Sequence, residues 1–318
     1  MIESDQTVAE PAMQVILAAM RQQDQNRPPL GAVPPPDMRA RASAQFAAWN
    51  QEPPPLATVR DFEIPGGEGL RPARLYDPDS HTGAPLLLYL HGGGWVIGDL
   101  DLEDRALRLL AQESGSKIVS LDYRLAPEHP FPAAIEDTSA ALEWLKQNGE
   151  ALGAQRGKLA LGGASAGANL ALATALYQRD RGGALPDFLL LFYGVYGVDR
   201  NTESDRLFGG PDFGGALVHM ETFYTLYAGP PEARRIPLVA PLLAKLSGLP
   251  PVYMNAAGLD PLRDDSRQLN ARFKEAGVAV NFTEYPGVIH GFTQFSRTSE
   301  TARRALAEAG AALKRALG

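Results

Sequence analysis

"KLALGGASAGANLALATALYQR", residues 158–179, passes from a strand-like apolar run, through small residues around a single hydroxyl, into a helical pattern. Within it, Gly163-x-Ser165-x-Gly167 fits the sharp strand-to-helix turn that presents a nucleophilic serine. With 32 glycines in the chain, a chance match somewhere has odds of roughly one in five, so the pattern needs support from elsewhere. Local context supplies some. A glycine on each side suits a turn whose backbone is strained and whose flanks crowd strand and helix. The following helix would aim its N-terminus at developing negative charge.

Working outward, "LLLYL" (86–90), "KIVSLDY" (117–123), "KLALGG" (158–163), "DFLLLFYGV" (187–195), "PVYMNAA" (251–257) and "VAVNFTEY" (278–285) have strand length and composition. Helical patterns separate most of them. The clearest are 132–147, with Ala134, Thr138, Ala141, Leu142 and Leu145 on one face, and 299–316, with Ala302, Ala305, Leu306, Ala309 and Leu313. Alternating strands and helices imply an α/β fold, a mostly parallel sheet with helices on both faces. Residues 1–55 read as helical pieces broken by the proline-rich "RPPLGAVPPP" (27–36) and closed by "PPP" (53–55). Residues 199–236 lack a strand-length apolar run, and a long excursion between core strands is usually functional, such as a lid. This divides the chain into a core of 56–198 and 237–318, an N-terminal helical appendage of 1–55 and a lid-like excursion of 199–236.

The strand 86–90 runs directly into His91-Gly92-Gly93-Gly94-Trp95, in which the His-Gly-Gly-Gly part alone has chance odds of about one in two hundred. Glycines let backbone N–H groups converge on one point, as an oxyanion hole requires, and Ala166 after the serine offers another N–H. A hydroxyl also needs a base. Of His81, His91, His129, His219 and His290, only His290, in "YPGVIHGF", follows the last expected strand, where catalytic loops of a parallel sheet gather. "NAAGLDPLRDD" provides the orienting carboxylate. Asp260 stands nearest the strand end and is stiffened by Pro261, while Asp264 and Asp265 suit the N-terminus of the next helix. The chain order Ser165, Asp260, His290 is that of the α/β-hydrolases.

"HGGGWVIGDL", "DYRLAPEHPFPAA", "GGASAGANLA", "DPLRD" and "IHGF" resemble the hormone-sensitive-lipase-like carboxylesterases, bacterial family IV, from about residue 56 to the C-terminus. The resemblance implies an α/β-hydrolase fold, with a catalytic core of 56–198 and 237–318 under a helical cap built from 1–55 and 199–236. It also implies Ser165 as nucleophile, His290 as base, Asp260 as orienter, and oxyanion donors at Gly93, Gly94 and Ala166, with Gly92 adjoining. Three positions depart from the common family form: Ala164 and Ala168 replace Asp and Gly, and Gly194 stands where many relatives have proline. Tyr123, Arg124 and Glu128 are expected to build a buried hydrogen-bonded corner. Trp95, Phe213 and Tyr224 are expected to narrow a substrate pocket over Ser165.

Composition narrows the partners. At 318 residues, 45% hydrophobic, 21% charged and a formal charge of −7, without long basic clusters, the chain suits neither nucleic acid nor an anionic membrane. A small neutral ester fits better, and a homodimer is left open. The absence of cysteine excludes disulfides and thiolate chemistry, and the resemblance calls for neither metal nor cofactor. "MIESDQTVAE" carries acids where a secretory signal needs a basic region, so a cytoplasmic protein is expected. "FLLLFYGVYGV" (188–198) is shorter than the about 20 apolar residues of a membrane-spanning helix. Together these readings describe a serine carboxylesterase acting on short- to medium-chain esters. Amide or formamide hydrolysis would use the same residues. A non-catalytic receptor on the same fold, of the gibberellin-receptor kind, would lack the histidine that His290 supplies.

Overall fold

The computed structural model describes residues 8–24, 27–214 and 219–318; the start of the expected signal-free N-terminus and part of the 199–236 excursion fall outside these. Eight strands form one sheet: β1 (Thr58–Pro65), β2 (Leu70–Asp77), β3 (Ala84–Leu90), β4 (Lys117–Leu121), β5 (Ala154–Ala164), β6 (Phe188–Phe192), β7 (Val252–Leu259) and β8 (Val280–Ile289). Their order is β1-β2-β4-β3-β5-β6-β7-β8. Only β2 runs against the others, pairing antiparallel with β1 and β4. The edge pair β1–β2 is the part the sequence reading missed. Its strands are half-exposed and interrupted by Arg60, Asp61, Glu63, Arg71 and Arg74, so the apolar alternation that marks a strand is weak.

Side-chain alternation divides the central strands between two cores. Leu86, Leu88, Leu90, Leu161, Leu189, Leu191 and Met254 face one side, with α4 (Ala133–Asn148), α5 (Ala166–Asp180) and α8 (Arg263–Glu275). Leu87, Tyr89, Ala160, Leu190, Phe192 and Tyr253 face the other, with α3 (Asp104–Ser114) and α9 (Glu300–Leu317). The apolar faces read for 132–147 and 299–316 are buried as expected.

The N-terminal helices α1 (Pro11–Asp24) and α2 (Pro35–Ala47) lie over the carboxyl ends of the central strands, as does the excursion carrying α6 (Glu203–Phe208) and α7 (Met220–Ala228). Among the described residues no strand interrupts 193–251, so the excursion runs past 236 to the start of β7. Specific bonds hold these pieces down. Arg39 of α2 donates to Val96 O, Ala126 O and the Glu128 carboxylate. Glu10 donates its amide to Gly287 O and accepts from Ser299 and Thr301. Among the described residues no helix is long and apolar enough to cross a membrane.

The expected polar corner is corrected in part. Tyr123 stacks on His91, with ring centroids 4.4 Å apart, and Arg124 pairs with buried Asp137 at 3.0 Å. Glu128, by contrast, is half-exposed and serves as the anchor for Arg39.

Candidate active site

β5 ends at Ala164 and α5 begins at Ala166, which leaves Ser165 alone on the turn at φ 54° and ψ −117°. That conformation costs a non-glycine residue about 1–3 kcal/mol. Its flanks show why the turn is built from glycine: a Cβ on Gly163 would stand 2.5 Å from Leu90 O, and one on Gly167 2.0 Å from the same atom. The Ser165 amide donates to Phe192 O at 2.9 Å, tying the turn to β6.

His290 follows β8 directly, and Asp260 follows β7. Adjacent parallel strands therefore deliver both side chains to the same end of the sheet as Ser165. His290 Nε2 lies 2.9 Å from Ser165 Oγ, and His290 Nδ1 lies 2.7 Å from Asp260 Oδ2. Asp260 is 1% exposed, and its second oxygen accepts from the Leu262 amide at 2.8 Å. The imidazole thus has a carboxylate on one nitrogen and a hydroxyl on the other. Tyr193, itself at φ 34°, packs edge-on against the His290 ring with centroids 5.3 Å apart.

After β3 the chain takes positive φ at Gly93 (111°), Gly94 (59°) and Trp95 (63°), and this curl carries the loop around Ser165. His91 Nδ1 donates to Gly92 O at 2.7 Å, and the Val96 and Ile97 amides donate to Gly93 O. Gly93 and Gly94 N–H have no acceptor among the described residues. Ala166, as the first residue of α5, precedes the helical hydrogen-bond ladder, so its N–H is also free for a ligand.

Ser165, His290 and Gly92 to Gly94 line one cavity of about 560 Å³, walled on its apolar side by Leu17, Met20, Phe46, Phe213, Phe223 and Phe295. Of the expected pocket aromatics, only Phe213 lies there. Trp95 and Tyr224 do not, which corrects the sequence reading. Trp95 is fully buried and stacks on Tyr227 with centroids 4.6 Å apart. Tyr224 packs on Trp95 and donates its hydroxyl to Gly197 O at 2.6 Å. The positive φ at Trp95 turns its side chain away from the cavity, so these rings brace the loop from behind. Arg21, Arg27 and Arg41 also border the cavity, Arg21 being paired with Asp212 at 3.3 Å.

The next two carboxylates stand at the N-terminus of the following helix as expected, but they do not cap it. Asp264 and Asp265 stand in the first turn of α8, but their oxygens accept from the Ser204 amide and from the Tyr196 and Gly197 amides respectively. Asp265 also holds Arg200 at 2.7 Å. They fasten the excursion to the core. At the departure position Gly194, a side chain would meet the Tyr196 ring at 2.3 Å, so glycine makes room for that tyrosine. Ala164 and Ala168 are fully buried without polar duty.

Sequence reasoning overlooked Glu103, because an acid in the charged run "DLDLED" looks like solvated surface. It is 2% exposed, and burial pushes its carboxyl above the usual glutamate range.

Comparison with known proteins agrees with this architecture. Residues 87–294 match a family described by its α/β-hydrolase fold. The carboxylic ester hydrolase LipN of Mycobacterium tuberculosis is 39% identical over 244 residues, 74% of this chain and 64% of that protein, so the match spans less than two thirds of LipN. An acetyl esterase of Salmonella schwarzengrund is 35% identical over 263 residues, 81% of this chain and 80% of that protein. The structure of an ester hydrolase from the Lake Arreo metagenome, complexed with a bipyridine phosphonate derivative, superposes with a TM-score of 0.91 at 34% identity, covering 97% of this chain and 99% of that one. The chain belongs to the α/β-hydrolase family, and within it to the hormone-sensitive-lipase-like carboxylesterases that its motifs resemble.

Proposed function

We propose that the protein hydrolyses carboxylic esters of short to medium acyl chain, with Ser165 as nucleophile. The observation that carries this reading is the hydrogen-bonded series from Ser165 Oγ through His290 to Asp260, opening into a cavity beside two unpaired glycine amides. Ser165 Oγ attacks the acyl carbon while His290 Nε2 takes the hydroxyl proton. The carbonyl oxygen becomes an oxyanion held by the N–H groups of Gly93, Gly94 and Ala166. On collapse, the proton passes from His290 to the departing alcohol and an acyl-serine remains. Water, deprotonated by His290, attacks the acyl-serine; as the acyl–Oγ bond breaks, His290 returns the proton to Ser165 Oγ, which releases the acid and restores the serine. Asp260 keeps the proton on Nδ1, so that Nε2 can accept, and stabilises the imidazolium.

The substrate range follows from the cover. A cavity of about 560 Å³ lies within the span of small-molecule sites, roughly 300–1,000 Å³. The described parts of residues 1–55 and of the excursion before β7 act as the cap that closes it. The experiment is a series of p-nitrophenyl esters assayed with the wild type and Ser165→Ala. Loss of at least about 10⁴-fold in turnover with retained folding is expected, because each triad member acts within one unit. Substantial turnover in pure Ser165→Ala would refute the assignment.

A further inference from the structure

Glu103 occupies the N-cap of α3, where short polar side chains normally bind the helix's own amides. It makes no such bond. Its carboxylate instead turns into the protein, where Oε1 accepts from the Gly92 amide at 3.0 Å and Oε2 accepts from the Tyr89 hydroxyl at 2.5 Å. Burying a carboxyl group costs several kcal/mol unless its bonds repay the loss, so neither solubility nor capping accounts for an acid here.

The peptide units of the glycine loop show what those bonds do. In the His91–Gly92 unit the carbonyl accepts from Tyr123 Oη at 2.9 Å and the N–H donates to Glu103, so the unit is held at both ends. The next two units are held only through their carbonyls, by the His91 ring and by the Val96 and Ile97 amides. Their N–H groups, those of Gly93 and Gly94, point to no protein acceptor among the described residues. Gly92 is also wedged in place. A Cβ there would lie 3.3 Å from Glu103 Oε1 and 3.5 Å from Ser165 Cβ, so nothing separates the acid, the loop and the serine.

We propose that Glu103 is a positioning residue that fixes the Gly93 and Gly94 amides for the oxyanion, acting as a hydrogen-bond acceptor beneath Gly92 rather than as a charge. This rests on the reading of Gly93 and Gly94 as oxyanion donors. Acceptance is the part of the acid that the loop needs, since a full negative charge beneath a developing oxyanion would oppose it. A glutamine at 103 would keep the essential contact. Its amide oxygen can accept from Gly92 and its NH₂ can donate to the Tyr89 oxygen.

The test compares Glu103→Ala, Glu103→Leu and Glu103→Gln with the wild type on p-nitrophenyl butyrate, with thermal unfolding as a check of folding. Removal of the acceptor in Ala or Leu is expected to lower kcat by about 10²-fold, the scale of a lost or misplaced oxyanion donor, while KM stays within about threefold. Glu103→Gln is expected to recover kcat to within about threefold of the wild type. Leu fills the volume and serves if Ala fails to fold. Phenylboronic acid, whose boron bonds Ser165 Oγ to form a tetrahedral anion, should lose affinity in the same variants that lose kcat. An unchanged kcat in Glu103→Leu, or a Glu103→Gln that falls as far as Glu103→Leu, would overturn the assignment while Ser165 remained essential. Turnover surviving in Ser165→Ala would instead overturn the reading of the site itself.

Discussion

His290 Nδ1 lies 2.7 Å from Asp260 Oδ2, while Asp264 and Asp265, in the helical turn that follows, bind amides of the excursion instead. One short acidic segment therefore serves both the imidazole and the cover, and substitution should separate the two tasks.

Asp260→Asn is expected to lower kcat by about 10⁴-fold, because the amide stabilises the wrong imidazole tautomer, with little change in melting temperature. Asp265→Ala should show the opposite balance. It leaves the Tyr196 and Gly197 amides without their acceptor, takes the nearer of two carboxylates from Arg200, and should cost about 3 kcal/mol of stability. Asp264→Asn, which weakens one bond to Ser204, should cost about 1 kcal/mol. Steady-state kinetics beside urea denaturation rank the three. A larger kcat loss in Asp264→Asn than in Asp260→Asn would move the orienting role along the chain.

Acyl-chain preference should rise and then fall. Each methylene entering the apolar cavity contributes about 0.8 kcal/mol until the chain meets the wall. We expect kcat/KM to peak for acyl chains of roughly four to eight carbons, with little activity on emulsified long-chain triglycerides. Phe213→Ala, which removes a ring from that wall, should move the peak to longer chains. A palmitoyl optimum with activation at an oil–water interface would contradict this.

The tether of α2 is acid-sensitive. The Arg39 guanidinium hydrogen-bonds Glu128 and holds its carboxyl below the ordinary glutamate value of 4.5. A depressed value means the folded state binds fewer protons. The stabilisation is therefore fully present above pH 4.5 and fades as pH falls through the lowered value. Because Glu128 is half-exposed, the effect on global stability should stay below about 1 kcal/mol. Hydrogen exchange in α2 is the sensitive measurement. Its amides should exchange faster, relative to the sheet, on acidification below pH 4.5 in the wild type but not in Glu128→Gln. Equal behaviour in the two proteins would exclude Glu128 as the sensor.

Glu128 also illustrates a limit of local pattern. It sits in the same motif as Tyr123 and Arg124, yet it faces outward to a helix that the sequence places far upstream. Trp95 and Tyr224 show a related limit, since an aromatic residue near a site can either face the substrate or brace the loop behind it. The choice is made by backbone dihedrals, here the positive φ of Trp95, and composition does not report those.

By itself the sequence determined the parallel core, the elbow at Ser165 and the partnership of Asp260 with His290. Each depends on local chemistry: buried strands read as apolar runs, the turn demands glycines, and strand ends deliver side chains to one edge of a parallel sheet. Tertiary structure alone decided the β1–β2 edge, whose charged, half-exposed strands carry little periodic signal. It alone decided that the acid rim of α8 clasps the excursion. It also decided that Glu103 is buried against Gly92 rather than solvated. A carboxylate's role is set by which donors surround it, and those donors come from segments that only folding brings together.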